Sequence, residues 1–167
     1  STLIKTIISA CKEEKIEGFV SGDIKLGGNI SIGYIPQEIH FENEEQAVID
    51  DFRNYFSGEE TRLRSTLVHF GFTGESIFKP VGKLSGGEKV KLLLCELIQS
   101  KVNILIFDEP TNHIDADTRN TLESALLEYK GTILFVSHDR YFINKIATSV
   151  AKLEDGKIEK FVGNFDD

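Results

Sequence analysis

The stretch that decides the fold runs from Asn103 to Asp115 and reads Asn-Ile-Leu-Ile-Phe-Asp-Glu-Pro-Thr-Asn-His-Ile-Asp. Its apolar run, Ile104 to Phe107, is too short for a helix and rich in strand-forming residues, which predicts a strand buried on both faces. Asp108 and Glu109 follow, at the strand end where open α/β sheets bind ligands. On an extended chain these two carboxylates would point to opposite sides, so one can hold a cation while the other faces a water molecule. Pro110 then ends the strand because it has no N–H for the ladder.

Composition and charge narrow the class of protein. The chain has 167 residues, 40% of them hydrophobic, which fits one domain with a sizeable core. A net charge of -8 disfavours a surface that binds nucleic acid through bulk electrostatics. Cys11 and Cys95 lie in apolar helical patterns without metal-ligand spacing, which predicts buried thiols in a reducing compartment. No apolar run approaches the ~20 residues of a membrane helix and no signal peptide is visible, so we expect a cytoplasmic protein.

The remaining sequence alternates between helical and extended patterns. Apolar residues recur with helical spacing from about 44 to 70, whereas glycines interrupt short extended pieces between 17 and 35. In the second half, a helix from about 117 to 129 precedes a second buried strand, Thr132 to Val136, and a closing hairpin runs from Ser149 to Val162. Strands that alternate with helices predict an α/β fold with a parallel sheet and crossover helices.

Polar residues follow two of the buried strands. Asp108 and Glu109 end one strand and His138 follows the other, so a parallel sheet would bring them to the same edge. Hydrolysis of a phosphoanhydride requires a divalent cation, a residue that orients the attacking water and a donor to the γ-phosphate. Asp108, Glu109 and His138 can fill these roles in that order, and Gln37 can add a neutral oxygen ligand for the metal. Taken singly, each is more often a solvated turn or surface residue, but their conjunction favours phosphate chemistry.

A glycine pair opens the helix that precedes the central strand. The segment Leu84-Ser85-Gly86-Gly87-Glu88 stands directly ahead of apolar residues at helical spacing. Two glycines at a helix start expose unpaired backbone N–H groups and let a phosphate or another chain come close. We therefore expect this terminus to attract anions.

Taken in order, these segments resemble the nucleotide-binding domain of ATP-binding cassette (ABC) proteins. Tyr34-Ile35-Pro36-Gln37 is similar to that family's Q-loop, Ser85 to Glu88 to its signature, Ile104 to Glu109 to its Walker B strand, and His138 to its switch histidine. The resemblance covers essentially the whole chain. It implies a P-loop NTPase-like parallel sheet flanked by helices.

The resemblance also implies ATP and Mg2+ as ligands and a role for each matching residue. Glu109 would polarise the attacking water, His138 would contact the γ-phosphate, and Gln37 would complete the catalytic set as an oxygen ligand for the metal or its water. The implied oxygen ligands of Mg2+ are Ser1, Gln37 and Asp108. The implied ATP-binding residues are Ser1 and Thr2 for this domain's own site and Ser85, Gly86, Gly87 and Glu88 for the site of the opposite domain. The residues expected to hydrogen-bond across the domain interface are Asn112 and Asp115.

The chain departs from the family pattern at its front. A Walker A loop reads Gly-x-x-x-x-Gly-Lys followed by Ser or Thr, and Ser1 matches its final hydroxyl position. The sequence opens there, without an initiator Met, so we expect a domain truncated within Walker A that has an incomplete N-terminal strand region. We expect a single partial domain over 1–167, with a core formed by 1–37 and 84–167 and a helical subdomain at about 38–83. Such a fragment would bind ATP weakly or not at all and would be inactive by itself.

Within the family, Asp-Glu-Pro-Thr-Asn-His-Ile-Asp and Ser-His-Asp-Arg-Tyr-Phe-Ile-Asn are most similar to the ABC-F subfamily. This likeness implies a cytosolic protein with two such domains in one chain and no membrane span, which acts on ribosomes in translation or in antibiotic resistance. The run from Glu88 to Cys95 resembles the second domain of such a tandem, so the implied partners are the other ABC domain of the same chain and the ribosome. Two alternatives stay open: the ATP-binding subunit of a membrane ABC transporter, which Asn112-His113 argues against, and a non-catalytic ribosome-binding module in which ATP acts only as a clamp.

Overall fold

The computed structural model describes residues 2–11, 24–25, 27–154 and 156–164. The helices are α1 (Thr2–Cys11), α2 (Val48–Arg53), α3 (Glu60–His69), α4 (Gly86–Gln99), α5 (Ala116–Glu128) and α6 (Arg140–Ile146), with short 3-10 helices at Gly74–Phe78 and Val81–Lys83. The strands are β1 (Ile32–Ile35), β2 (Ile104–Asp108), β3 (Thr132–Val136), β4 (Ser149–Glu154) and β5 (Lys157–Val162). The extended pieces expected between 17 and 26 fall largely outside the described residues.

Strands β1, β2 and β3 form a parallel sheet with β2 in the centre. Ile35 lies opposite Phe107, and Asp108 lies opposite Val136, so the three strands end at one edge. Helix α5 makes the crossover from β2 to β3, as expected for neighbouring parallel strands. Strands β4 and β5 form a separate antiparallel hairpin. The parallel sheet and the closing hairpin predicted from the sequence are confirmed. The expectation that Thr132 to Val136 is buried is wrong: β3 lies at the edge of the described sheet, and its residues are half-buried or exposed.

The central strand β2 is covered on both faces. Leu105 and Phe107 are fully buried on the face that packs against the main core, which includes Leu92 of α4 and Leu122 of α5. Because side chains alternate along a strand, Ile106 lies on the opposite face, where it packs against α1. The strand buried on both faces that the apolar run predicted is therefore confirmed.

The helices between β1 and α4 continue the main core. Val48 and Phe52 of α2 and Leu63 and Leu67 of α3 are buried in the same cluster as the side chains beneath the sheet. These two helices lie within the stretch from 44 to 70 whose apolar spacing predicted them. A separate helical subdomain stays a prediction.

Two carboxyl groups meet inside this core, between α2 and α4. Glu96 is 2% exposed and Asp51 is 7% exposed, and their side chains are hydrogen-bonded to each other. Burial, together with the hydrogen bond and the charge of Asp51, raises the pKa of Glu96 to about 10. Glu96 is therefore protonated at neutral pH. The neighbouring Cys95 is buried as predicted, and burial raises the pKa of its thiol.

We predict that Glu96→Gln stabilises the fold above neutral pH. Because the folded chain raises the pKa of Glu96 above its ordinary value of 4.5, the wild-type fold loses stability as the pH rises from that value toward about 10. A glutamine amide keeps a hydrogen bond to Asp51 without this proton linkage, so the free energy of unfolding at about pH 8 should rise by about 2 kcal/mol. Urea unfolding at about pH 5 and about pH 8 measures the change, with the exposed Glu159→Gln as control. If the free energy of unfolding changed equally with pH in E96Q and in the wild type, the prediction would be wrong.

Candidate functional site

The chain turns sharply where β2 ends. Asp108 is the last residue of the strand and is buried, on the same face as Ile106 and α1. Its negative charge adds to the effect of burial in raising the pKa of Tyr34 on β1. Glu109 has a φ of 56°, in the left-handed region that a residue with a side chain enters at a cost of roughly 1–3 kcal/mol. The expectation that both acids project from opposite sides of one extended strand is therefore wrong, because Glu109 is not extended.

This turn directs Glu109 toward the end of β3. The Glu109 N–H donates to the carbonyl oxygen of Val136 over 2.9 Å. Its carboxylate Oε1 lies 3.3 Å from Nε2 of His138, and the His138 N–H donates to Oε2 over 3.4 Å. The side chain of Glu109 is 15% exposed, whereas that of His138 is 95% exposed. The structure thus brings together the residues predicted to act on the water and on the γ-phosphate, and it leaves the imidazole accessible.

A cleft of about 340 Å³ opens beside Glu109. Gln37, in the loop after β1, lines this cleft together with Gly86 at the start of α4 and Asn112 in the loop after β2. The side chain of Gln37 is exposed. Three segments that are far apart in the sequence therefore surround one space, and each of them carries a predicted site residue.

Ser85 and Glu88 close the start of α4 by capping each other. Ser85 Oγ accepts the Glu88 N–H over 3.2 Å, and Glu88 Oε2 accepts the Ser85 N–H over 2.7 Å. Glu88 Oε2 also accepts from Lys79 Nζ over 3.0 Å. Burial opposes the ionisation of Glu88, but the hydrogen bonds from Ser85 and Lys79 outweigh it and lower the pKa of Glu88. The carboxylate of Glu88 is thus engaged within this chain, while Ser85 and Gly86 are exposed.

Gly87 and Asp115 both contact Thr118 in the first turn of α5. Gly87 is buried, and a Cβ on it would lie 2.8 Å from Thr118 Oγ1. Asp115 caps α5, because its Oδ1 accepts the Thr118 N–H over 2.9 Å and its Oδ2 accepts from Thr118 Oγ1 over 2.8 Å. These hydrogen bonds lower the pKa of Asp115. The start of α4 is therefore packed directly on the turn that begins α5.

The predicted ligands of Mg2+ and ATP differ in how the structure places them. Ser1 lies outside the described residues, and Thr2 is the exposed first residue of α1. Asp108 and Gln37 supply carboxylate and amide oxygens, which suit Mg2+, an ion that usually keeps water and substrate phosphate as further ligands. Asn112 is exposed, and its N–H donates to the carbonyl oxygen of Glu109 over 3.2 Å. In the part of the chain that the structure describes, no group of three or more His, Cys, Asp or Glu residues could hold a metal by itself.

Two ion pairs that the sequence did not predict join α5 to α6. Arg119 Nη1 lies 2.9 Å from Asp139 Oδ2, and Lys145 Nζ lies 2.6 Å from Glu123 Oε2. Asp139 also caps α6, where its Oδ1 accepts the Phe142 N–H over 3.1 Å. An Asp directly before a helix is a recognisable cap signal. Its pairing with Arg119 depends on how the two helices pack, for which the sequence carries no signal.

The chain is similar to proteins that are named for ATP binding and for the ribosome. The family model described as ABC transporter matches residues 1–112. YdiF of Bacillus subtilis, named as an ATP-binding protein, is 46% identical over 99% of this chain and 25% of its own length. ABC transporter F family member 5 of Arabidopsis thaliana is 34% identical over 99% of this chain and 23% of its own length. The ribosome protection protein VmlR of Bacillus subtilis is 37% identical over 83% of this chain and 25% of its own length.

The chain spans about a quarter of the length of these curated relatives. Among solved structures, it matches a protein named as a metal-chelate type ABC transporter in an inward-facing conformation, with a TM-score of 0.70 over 96% of this chain and 66% of that one. At 19% identity this likeness concerns the fold alone, and it confirms the predicted parallel sheet with flanking helices. Within the described ranges, no helix is both long enough and apolar enough to cross a membrane.

We predict that Gly87→Ala destabilises the chain and that Gly86→Ala does not. A Cβ on Gly87 collides with Thr118, whereas a Cβ on Gly86 meets no atom within 4 Å. Overpacking of this kind costs roughly 1–3 kcal/mol. Thermal unfolding of the two single variants checks the difference, and adding Thr118→Ala to G87A should recover part of the loss because it removes the colliding atoms. Equal melting temperatures for G86A and G87A would contradict the steric reason.

Proposed function

Because the chain belongs to the ABC transporter family of ATP-binding domains, we propose that it is part of an ABC-F type ATPase, which binds and hydrolyses ATP between two domains and acts on the ribosome. The observation that carries the proposal is the contact of 3.3 Å between Glu109 Oε1 and His138 Nε2 at the end of the sheet. A carboxylate that can orient water and an imidazole that can donate to a phosphate lie together there. This is the edge at which α/β sheets bind ligands.

Each residue of this edge has a part in hydrolysis. Glu109 accepts a hydrogen bond from the attacking water and aligns it with the γ-phosphorus, and His138 donates to a γ-phosphate oxygen. Asp108, Gln37 and Ser1 would hold Mg2+ through their oxygen atoms. When bound, Mg2+ neutralises charge on the phosphate oxygens. The water oxygen bonds to the γ-phosphorus as the bond from that phosphorus to the bridging oxygen breaks. ADP leaves with the bonding electron pair, and the proton lost by the water passes by way of Glu109 to solvent as phosphate is released.

The start of α4 serves the ATP site of the partner domain. Ser85 and Gly86 are exposed there, and the N-terminus of a helix carries the partial positive charge that favours phosphate. Gly87 and Glu88 keep this terminus in shape, since Gly87 is buried against Thr118 and Glu88 is bonded to Ser85. We therefore assign contact with the nucleotide to Ser85 and Gly86. We assign to Gly87 and Glu88 the role of holding the start of the helix in place.

The subfamily and the target rest on the relatives. One is named as an ABC transporter F family member, and another as a ribosome protection protein. Asn112 and Asp115 are exposed in the segment that links β2 to α5, which is where the other ABC domain of the whole protein would bind. We assign to the whole protein two such domains in tandem, a cytoplasmic location and the ribosome as partner. Resistance to ribosome-directed antibiotics is one form that this activity would take.

We predict that Glu109→Gln in the full-length protein keeps ATP binding and loses turnover. The amide preserves the size of the side chain but is a poor acceptor for a proton from water, so kcat should fall at least about 100-fold while the Kd for ATP changes less than about threefold. Phosphate release and binding of a fluorescent ATP analogue measure the two constants. Glu38→Gln changes another carboxylate of the same cleft and is the matched control, for which kcat should stay within about twofold of the wild type. Turnover retained in E109Q would overturn the role given to Glu109.

We predict that the full-length E109Q protein sediments with ribosomes when ATP is present and not when ADP is present. A variant that binds ATP without hydrolysing it keeps its two domains closed, so any complex that requires the closed state should persist. Sucrose-gradient sedimentation with ribosomes, run beside flotation with membrane vesicles, measures the association. Flotation with membranes and no ribosome binding would instead indicate the subunit of a transporter. Ribosome binding by a wild-type protein that shows no turnover would indicate a non-catalytic clamp.

A further inference from the structure

The start of α6 is anchored to α5 directly beside His138. Asp139 follows His138, and its carboxylate has two partners: Oδ1 accepts the Phe142 N–H over 3.1 Å, and Oδ2 pairs with Arg119 Nη1 over 2.9 Å. The Asp139 N–H donates to Ser137 Oγ over 3.1 Å. The residue after His138 is therefore held by the loop before it, by the helix that it caps and by α5.

Arg119 reaches this point from the first turn of α5. Its N–H donates to the carbonyl oxygen of Asp115 over 3.0 Å, so Arg119 lies one turn beyond the residue that caps this helix. Asp115 belongs to the exposed loop that we assign to the domain interface. The first turn of α5 thus lies between that loop and Arg119, whose side chain pairs with Asp139 next to His138.

The second ion pair between α5 and α6, Glu123 with Lys145, differs from the pair of Arg119 and Asp139 in its burial and in its position along the helices. The side chain of Glu123, one turn after Arg119 on α5, is 2% exposed and pairs with Lys145 in the last turn of α6. The side chains of Arg119 and Asp139 are 35% and 19% exposed. Partly exposed ion pairs contribute little to stability, whereas a buried carboxylate that loses its partner is strongly destabilising. The pair of Glu123 therefore secures the packing of the helices, while the pair of Arg119 adds little to stability.

We propose that Arg119 is a positioning residue for ATP hydrolysis, acting through Asp139 to fix the direction in which His138 extends from β3 toward Glu109. The inference rests on the proposed function. A donor to the γ-phosphate acts only within hydrogen-bond reach, and a misplacement of ~1 Å can lower a rate ~100-fold. Without Arg119, Asp139 still caps α6, but residues 137–139 lose the ion pair that ties them to α5.

The test compares variants of the full-length protein. Arg119→Ala should lower kcat about tenfold and leave KM for ATP within about twofold, because alignment is lost and nucleotide binding is not. Arg119→Lys should restore part of kcat. Asp139→Asn keeps a good cap without the charge, so it should resemble R119A, and the double variant should be no slower than either single one. Glu123→Gln is the matched control, since it weakens the other ion pair and should lower the melting temperature while leaving kcat within about twofold.

Hydrogen exchange in the nucleotide-free protein gives a readout that does not depend on turnover. The amides of residues 137–142 should exchange several times faster in R119A and D139N than in the wild type, and at the wild-type rate in E123Q. Wild-type kcat and wild-type exchange in R119A would overturn the inference, as would a loss of kcat in E123Q as large as that in R119A. A wild-type protein without ATPase activity would contradict the proposed function instead, and the exchange rates would then decide whether Arg119 holds this loop.

Discussion

The burial of β2 on both faces and at both edges is the constraint on which the rest of the structure depends. Leu105 and Phe107 are fully buried on one face, Ile106 is buried on the other, and β1 and β3 occupy the edges. A slip of β2 by one residue would move each of its side chains to the opposite face of the sheet. The register of β2 with its neighbours is therefore strongly specified. The position of Asp108 follows from that register. The place where Glu109 leaves the sheet follows from it as well, because Glu109 is the next residue.

Two of the four non-glycine residues with a positive φ in the described part of the chain lie in the segment that follows the end of β2. Glu109 and His113 have φ values of 56° and 58°, and the Asn112 N–H closes the turn between them by donating to the carbonyl oxygen of Glu109. Strained residues persist where their surroundings over-determine them. Here the bond from the Glu109 N–H to Val136 and the contact of its carboxylate with His138 supply that support. The left-handed φ of Glu109 lets two adjacent carboxylates point to different places. Glu109 turns toward β3, while Asp108 stays on the sheet face that α1 covers.

The elements of this fold could be predicted from the sequence more fully than the contacts between them. The apolar run of β2 and the helical spacing of α4 identify their elements because they repeat along the chain. Glu109 carries no such signal, since a left-handed φ is expected at glycine and is uncommon at residues with a side chain. Gly86 and Gly87 look alike in the sequence, yet one is exposed and the other is packed against Thr118. The different surroundings of the two glycines arise only when α5 packs against α4. The pairing of Arg119 with Asp139 likewise arises only when α5 packs against α6.

The first turn of α5 is where these separate contacts converge. Asp115 caps it, Thr118 packs against Gly87 at the start of α4, and Arg119 pairs with Asp139 at the start of α6. Because a Cβ on Gly87 would lie 2.8 Å from Thr118, there is no gap into which the start of α4 could move toward α5. The start of α4 and the start of α6 therefore both rest on the first turn of α5, through Thr118 and Arg119, which are neighbours in the sequence. The geometry at both places depends on the position of this one turn.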